Sequence, residues 1–349
     1  MTYRVDYRQY RRPFRRPIHT HHGLWTERKG LILRLTNRDG HIGLGEIAPL
    51  PNFGSESLAQ AVEWCQSLEG RCTADTIRSI PTNLPACQFG FESAEHMITV
   101  SPPSSPIIPH PVSVVCCRLL PTGKSALTAW KPFYAQGDRT FKWKIGVAPI
   151  QTELALFNTL VYQLPPDVTV RLDANGGLSW DEAAQWLSVC DRLISMAPSI
   201  RPSPPIEFLE QPLPPTQFDP LLQLSRHYQT PIALDESVAT LAQLQDCYQR
   251  GWRGVVVMKA AIAGYPSHIR EFCRTHQLDV VWSSVFETAI ARRYILDHLV
   301  PSISDNRAIS HPKRAVGFGV QHYFADTVID ESGTHRDDLN SLFDHRNPS

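Results

Sequence analysis

The sequence predicts an α/β protein, a modified (β/α) TIM-type barrel preceded by an α+β capping domain, and three observations carry that prediction. From Pro111 onward, short segments rich in β-branched and aromatic residues alternate with helical stretches, the order of βα units. The run Ser101 to Pro111 (SPPSSPIIPHP) carries five prolines, which remove backbone donors and favour extended chain, so it reads as an interdomain linker. The length of 349 residues is too great for one average domain. It suits a barrel of about 200–250 residues plus a smaller companion. The capping domain is placed at residues 1–105, with a contribution from about 312–349, and the catalytic barrel at 106–311.

In the first part, Leu31 to Leu35 (LILRL) reads as a strand, Asp39-Gly40 as a turn and His41 to Ile47 as the returning strand of a hairpin. Helical patterns follow at Leu58 to Leu68 and Pro85 to Met97. The barrel strands are Val112 to Arg118, Thr140 to Ile145, Val168 to Asp173, Ile206 to Glu210, Pro231 to Asp235, Gly254 to Lys259 and Val280 to Ser284. Between them lies the helix Trp180 to Met196, where Ser179 and Glu182 match the S-x-x-E capping box. Ser199 to Pro205 is a proline-rich loop, and the chain from about Asp330 is polar and weakly patterned.

Composition narrows the function. Lys plus Arg and Asp plus Glu balance at 34 each, so no global field favours nucleic acid or an anionic membrane, and a small-molecule substrate is the better partner. No run of about 18 apolar residues is present and the Arg-rich start lacks the apolar core of a secretory signal, so a soluble, cytoplasmic protein is expected. Eight scattered cysteines without a CxxC pair read as reduced thiols. Oligomeric state is left open. His19, His21 and His22 lack a nearby cysteine or carboxylate that would complete a zinc site, and Gly317-Phe318-Gly319 lacks the strand-to-helix context of a phosphate loop.

The chemistry lies where polar residues end buried strands. Lys142 and Lys144 stand at i and i+2 and share a face, with Trp143 on the other. Their mutual repulsion and desolvation are expected to lower a lysine toward the range of a general base, although an exposed edge strand with solvated lysines would show the same pattern. Asp173 (VRLDANG), Glu210 (IEFLEQP) and Asp235 (PIALDES) follow on three successive strands. Any one of them would serve as a helix cap or an arginine partner. Three like charges at one rim call for a cation, and hard oxygen ligands without thiolate or imidazole favour Mg²⁺, with Mn²⁺ as a possible substitute. Replacing Asp235 by its amide is then expected to leave the fold intact by relieving repulsion. Lys259 ends the buried strand GVVVMKA, opposite Lys144, where two ammonium groups and a divalent ion would stabilise an enediolate.

The ordered set Lys142-x-Lys144, Asp173-Ala174-Asn175, Glu210-Gln211-Pro212, Asp235-Glu236-Ser237 and Lys259 resembles the muconate-lactonizing subgroup of the enolase superfamily. Two amino-terminal stretches, GEIAPLPNFGSES (Gly45 to Ser57) and HHGLWTERKG (His21 to Gly30), are similar to the capping-domain loops of the o-succinylbenzoate synthase family within it. The resemblance covers about Tyr7 to Gln321. It implies a lyase that dehydrates 2-succinyl-6-hydroxy-2,4-cyclohexadiene-1-carboxylate to 2-succinylbenzoate in menaquinone or phylloquinone biosynthesis. It assigns Lys144 as base and then acid, Lys142 as the residue that tunes Lys144, and Lys259 as the cation stabilising the enediolate. It also assigns Asp173, Glu210 and Asp235 as Mg²⁺ ligands. Asn175, Glu236 and Arg171 would orient those ligands, and Ser283 and Ser284 would meet the distal carboxylate. The rival readings are an N-acylamino acid racemase or dipeptide epimerase on the same scaffold, and a non-catalytic binding protein.

Overall fold

The computed structural model describes residues 1–20, 23–100, 114–195, 204–304, 314–325 and 343. The linker Ser101 to Pro111, most of the Ser199 to Pro205 loop, the side chains of the three amino-terminal histidines and nearly all of the chain from Asp330 lie outside them.

The amino-terminal part is an antiparallel sheet of β1 (Thr2–Thr20), β2 (Gly23–Thr36), β3 (Ile42–Ile47) and β4 (Arg71–Thr73) in the order β3-β2-β1-β4. The hairpin expected from Leu31 to Ile47 is present, with Leu35 opposite Gly43 and Leu31 opposite Ile47. The length of β1 was not legible, because its arginine-rich sequence hides the buried positions Tyr3, Val5, Tyr10 and Phe14. Helix Pro85–Val100 lies on β3 so closely that a Cβ on Gly45 would stand 2.0 Å from the Gly90 carbonyl oxygen. Glycine is required there for the approach of two backbones.

The second part is a seven-stranded parallel sheet in sequential order. Its strands are β5 (Cys117–Leu120), β6 (Thr140–Lys144), β7 (Thr169–Asp173), β8 (Ile206–Glu210), β9 (Ile232–Leu234), β10 (Val255–Met258) and β11 (Val280–Trp282). Each falls inside or within two residues of its expected span. The sheet closes on itself through a short extended segment. Val316 pairs in parallel with Cys116 and Gly317 with Ser283, so the segment assigned from sequence to the capping domain begins by completing the barrel. It reaches the capping sheet only afterwards, at Phe324, which pairs with Phe14. A Cβ on Gly317 would sit 3.0 Å from the Ser283 hydroxyl, which accounts for glycine at the seam.

Period-two alternation then sorts the strand residues. Phe208, Ala233, Val255, Val257 and Val281 pack together inside the barrel, and two residues on from Phe208, Ala233, Val257 and Val281 come Glu210, Asp235, Lys259 and Ser283. Outward residues pack under the helices, as where Trp143 stacks on Phe157 and meets the edge of Trp186. The helix Trp180–Ser195 begins at the capping box, with Ser179 Oγ accepting from Glu182 N and the Glu182 carboxylate accepting from Ser179 N.

At the floor of the barrel, a bulge between β7 and β8 turns Glu207 onto the face of Arg171, whose guanidinium donates to it at 2.7 and 3.2 Å. Arg314 bridges Glu207 and Asp279 just before the closing segment. Arg171 is therefore spent on the floor. It donates no hydrogen bond to Asp173, Glu210 or Asp235, and it reaches Glu210 through charge alone.

Candidate active site

Lys144 and Lys259 stand at the carboxyl ends of β6 and β10, four strands apart in a ring of seven strands plus the closing segment, hence on opposite sides of the mouth. Asp173, Glu210 and Asp235 end the three strands between them, and all three are buried. Asp173 and Glu210 are direct neighbours in register.

The lysines answer this negative charge. Lys142 Nζ lies 2.7 Å from Asp173 Oδ2 and 3.1 Å from Glu210 Oε1. Burial alone would depress Lys142, but the two carboxylates outweigh it and hold the ammonium above its ordinary range. The lowering expected of the lysine pair is therefore absent at Lys142, because its neighbours are carboxylates as well as Lys144. Lys259 pairs with Asp235 and stands 4.9 Å from the centre of the Phe53 ring, which the capping loop extends over the mouth. Burial brings Lys259 down to about 7. Because Asp235 and Lys259 form an ion pair, relief of repulsion no longer describes what an amide at 235 would do. Lys144 is half-buried and has no ion-pair or hydrogen-bond partner among the described residues.

Around this core, Asn175 donates to Glu236 at 3.1 Å, while its own backbone N–H donates to Asp173 at 3.0 Å. Burial, then the charges of Asp173 and Glu210, push the Glu236 carboxyl up to about 7. Gln211 had no role assigned from sequence. Its side chain is fully buried and accepts from the backbone N–H of Asp235 and Ser237, while donating to Leu213 O and Ser237 Oγ. One amide thus fixes the backbone after Glu210 to the backbone that carries Asp235. An uncharged polar residue directly after a buried strand was the available signal.

The two serines differ. Ser284 Oγ donates to the Glu287 carboxylate and accepts from Phe286 N, so it is engaged in its own turn. Ser283 lies on the inner face with no side-chain hydrogen bond among the described residues.

The donor set fits a hard divalent cation. It consists of three buried carboxylates and no thiolate or imidazole, and Glu210 is raised by burial and by the neighbouring Asp173 charge. Among the described residues no three His, Cys, Asp or Glu side chains stand together as a formed metal site, and Lys142 and Lys259 lie against oxygens of the three carboxylates.

Known proteins share this sequence and this fold. Residues 127–334 match the enolase C-terminal domain-like family model, and residues 3–98 match the MenC N-terminal domain. An o-succinylbenzoate synthase from Thermosynechococcus vestitus is 39% identical over 92% of this chain and 93% of its own length. The chain belongs to the o-succinylbenzoate synthase family. The crystal structure of such a synthase from Thermosynechococcus elongatus, complexed with Mg in the active site, superposes with a TM-score of 0.84 at 36% identity, over 97% of this chain and 99% of that one. The L-Ala-D/L-Glu epimerase of Bacillus subtilis, at 20% identity and a TM-score of 0.73 over 93% and 91% of the two chains, shares the fold. Membership of this family of enolase-superfamily lyases bears out the expected fold class and reaction. No helix among the described residues is long and apolar enough to cross a membrane.

Proposed function

We propose that this o-succinylbenzoate synthase uses Lys144 to remove the α-proton of 2-succinyl-6-hydroxy-2,4-cyclohexadiene-1-carboxylate and then to protonate the departing hydroxide, leaving aromatic 2-succinylbenzoate and water. The observation that carries this reading is the amine of Lys144 at the mouth, unpaired among the described residues and across three buried carboxylates from Lys259. Asp173, Glu210 and Asp235 would hold Mg²⁺, or Mn²⁺ in its place, which when bound supplies positive charge to the substrate carboxylate. Lys259 stabilises the negative charge that develops on that carboxylate as the proton leaves. Lys142, held as an ammonium by two carboxylates, sets the field in which Lys144 works. Phe53 covers Lys259 and keeps water from it. Ser283, the unengaged serine, is the better candidate for the distal carboxylate.

Lys144→Ala should abolish exchange of the substrate α-proton with deuterium from solvent and reduce formation of 2-succinylbenzoate by at least 10³-fold, within the range for loss of a positioned base of about 10²–10⁴-fold. A Lys144→Ala protein that still exchanges the proton would remove the assignment. Exchange of dipeptide α-protons by the unaltered protein, with the diene untouched, would favour the epimerase reading.

A further inference from the structure

One apolar side chain faces the mouth of the barrel without a part in the chemistry described above. Leu119 on β5 is paired in register with Lys142 on β6, and side chains paired across parallel strands share a face. Two residues earlier on the same face, Cys117 is buried and feels the charges of Arg171, Lys142 and Glu207, which marks that face as the inner one. Leu119 therefore points into the barrel, one step nearer the mouth, and yet it is 47% exposed. An exposed leucine on the outside of a protein is ordinary. One that is exposed while facing inward lines open space of the kind that ligands fill.

The chain that closes the barrel brings a second side chain to this side. After Gly317 pairs with Ser283, Val320 N donates to Phe318 O and Tyr323 N to Val320 O, and the chain then reaches the capping sheet where Phe324 pairs with Phe14. Tyr323 thus stands between the seam of the barrel and the cap. Its ring meets Phe286 edge to face at 5.8 Å. The charge of the Lys142 ammonium reaches its phenol, and the hydroxyl has no hydrogen-bond partner among the described residues.

The mouth accordingly has two unlike sides. Asp173, Glu210 and Asp235 end β7, β8 and β9, whereas β5, the closing segment and β11 complete the ring with Leu119, Tyr323 and Ser283. We propose that Leu119 and Tyr323 hold the succinyl arm of the substrate, the leucine against its two methylenes and the tyrosine hydroxyl donating to an oxygen of the arm. The proposal rests on the reading of the reaction given above, in which the ring carboxylate goes to the side of the three acids and the distal carboxylate to Ser283. An arm joining those two points passes along the rim that β5 and the closing segment form. Its chemistry, two methylenes between a ketone and a carboxylate, calls for an apolar wall with hydrogen-bond donors at the ends. Contacts to this part of the substrate, remote from the proton that moves, would select acids that carry the arm over those that lack it.

The test compares 2-succinylbenzoate with benzoate, which lacks the arm, by calorimetry on the full-length protein with Mg²⁺ present. Leu119→Ala and Tyr323→Phe should each weaken 2-succinylbenzoate about fivefold, the scale of one lost apolar contact or one lost hydrogen bond. Benzoate and Mg²⁺ should bind each variant within about twofold of the unaltered protein, which a general loosening of the site would not allow. With the diene carboxylate, the loss should fall on KM more than on kcat. The leucine is exposed and phenylalanine keeps the ring of Tyr323, so both variants should fold. Equal weakening of benzoate would overturn the assignment to the arm. Unchanged 2-succinylbenzoate affinity in both variants, in a protein that turns over the diene, would overturn this inference alone. A protein that neither binds 2-succinylbenzoate nor turns over the diene would overturn the reading of the reaction with it.

Discussion

Replacing Gln211 tests whether the carboxylates proposed to hold Mg²⁺ are kept in place by the backbone behind them. Its amide oxygen accepts from Asp235 N at 2.9 Å and Ser237 N at 3.2 Å, and its amide nitrogen donates to Leu213 O at 2.9 Å and Ser237 Oγ at 2.8 Å. Gln211→Ala strands two buried backbone N–H groups, each at a cost of about 1–3 kcal/mol, so the loss is bounded at about 2–6 kcal/mol. Water entering the space left by the side chain should bring it to about 3 kcal/mol. The residue also has a positive φ of 37°, a conformation that costs a non-glycine residue about 1–2 kcal/mol. Gln211→Gly removes the same hydrogen bonds but tolerates that backbone, and should be about 1 kcal/mol more stable than Gln211→Ala. Denaturant unfolding of both variants reads the stabilities. Titration with Mg²⁺ should show an affinity about 10–100-fold weaker in each, as for loss of a residue that orients metal ligands. An alanine variant with an unchanged midpoint and unchanged Mg²⁺ affinity would refute the role of the amide. A glycine variant less stable than the alanine variant would refute the strain at this position.

Two further substitutions probe the buried charges. Asp235→Asn leaves the Lys259 ammonium without its carboxylate, so the metal-free protein should lose up to about 3–5 kcal/mol by denaturant unfolding and should gain little protection from Mg²⁺; an unchanged midpoint would show that the pair contributes nothing. Thr288→Val removes the hydroxyl that accepts from Ile290 N at the start of helix Ala289–Tyr294 and donates to buried Glu46, and should cost about 2 kcal/mol in the same assay, an unaltered midpoint arguing against the cap.

The strands, and the charge that ends four of them, were legible because both follow from local rules. The runs 168–173, 206–210, 231–235 and 254–259 each ended on a charge, and period-two alternation placed Lys142 with Lys144 on one face. What local rules could not supply was partner choice across strands. Arg171 shares the face of Asp173, yet the bulge beside Glu207 offers it a closer acid and draws it to the floor. Lys142 was expected to oppose Lys144, but the register that sets Lys144 beside Asp173 also places Asp173 and Glu210 within reach of Lys142. The closing segment was hidden for a different reason: Ala315–Gly317 is held by pairing to both neighbours and is too short to show an alternation of its own.

The contacts between the two domains bear on selectivity, because the turn that follows β11 is built from both of them. Arg28 of β2 donates to Val285 O at 2.9 Å and also to the carbonyls of Lys29, Ala48 and Pro49. Glu46 of β3 accepts from Tyr10 and from the backbone and hydroxyl of Thr288. Within the turn, Glu287 accepts from Ser284 Oγ and Val285 N. Phe286 adopts a positive φ of 60°, a costly conformation for a bulky residue, and its ring is surrounded by Phe14, Trp25 and Tyr323. The strain is therefore held in place by residues of the capping sheet and of the carboxyl-terminal segment. Ser283 and Ser284 immediately precede this turn, so the position of the strand end they occupy depends on Arg28 and Glu46 as much as on the barrel. Phe53 reaches Lys259 from the same capping domain. Division of labour between a barrel that does chemistry and loops that choose the substrate is thus incomplete in this chain: capping-domain residues set the geometry of barrel residues, and a change at Arg28 or Glu46 should alter substrate choice without touching any group that contacts substrate.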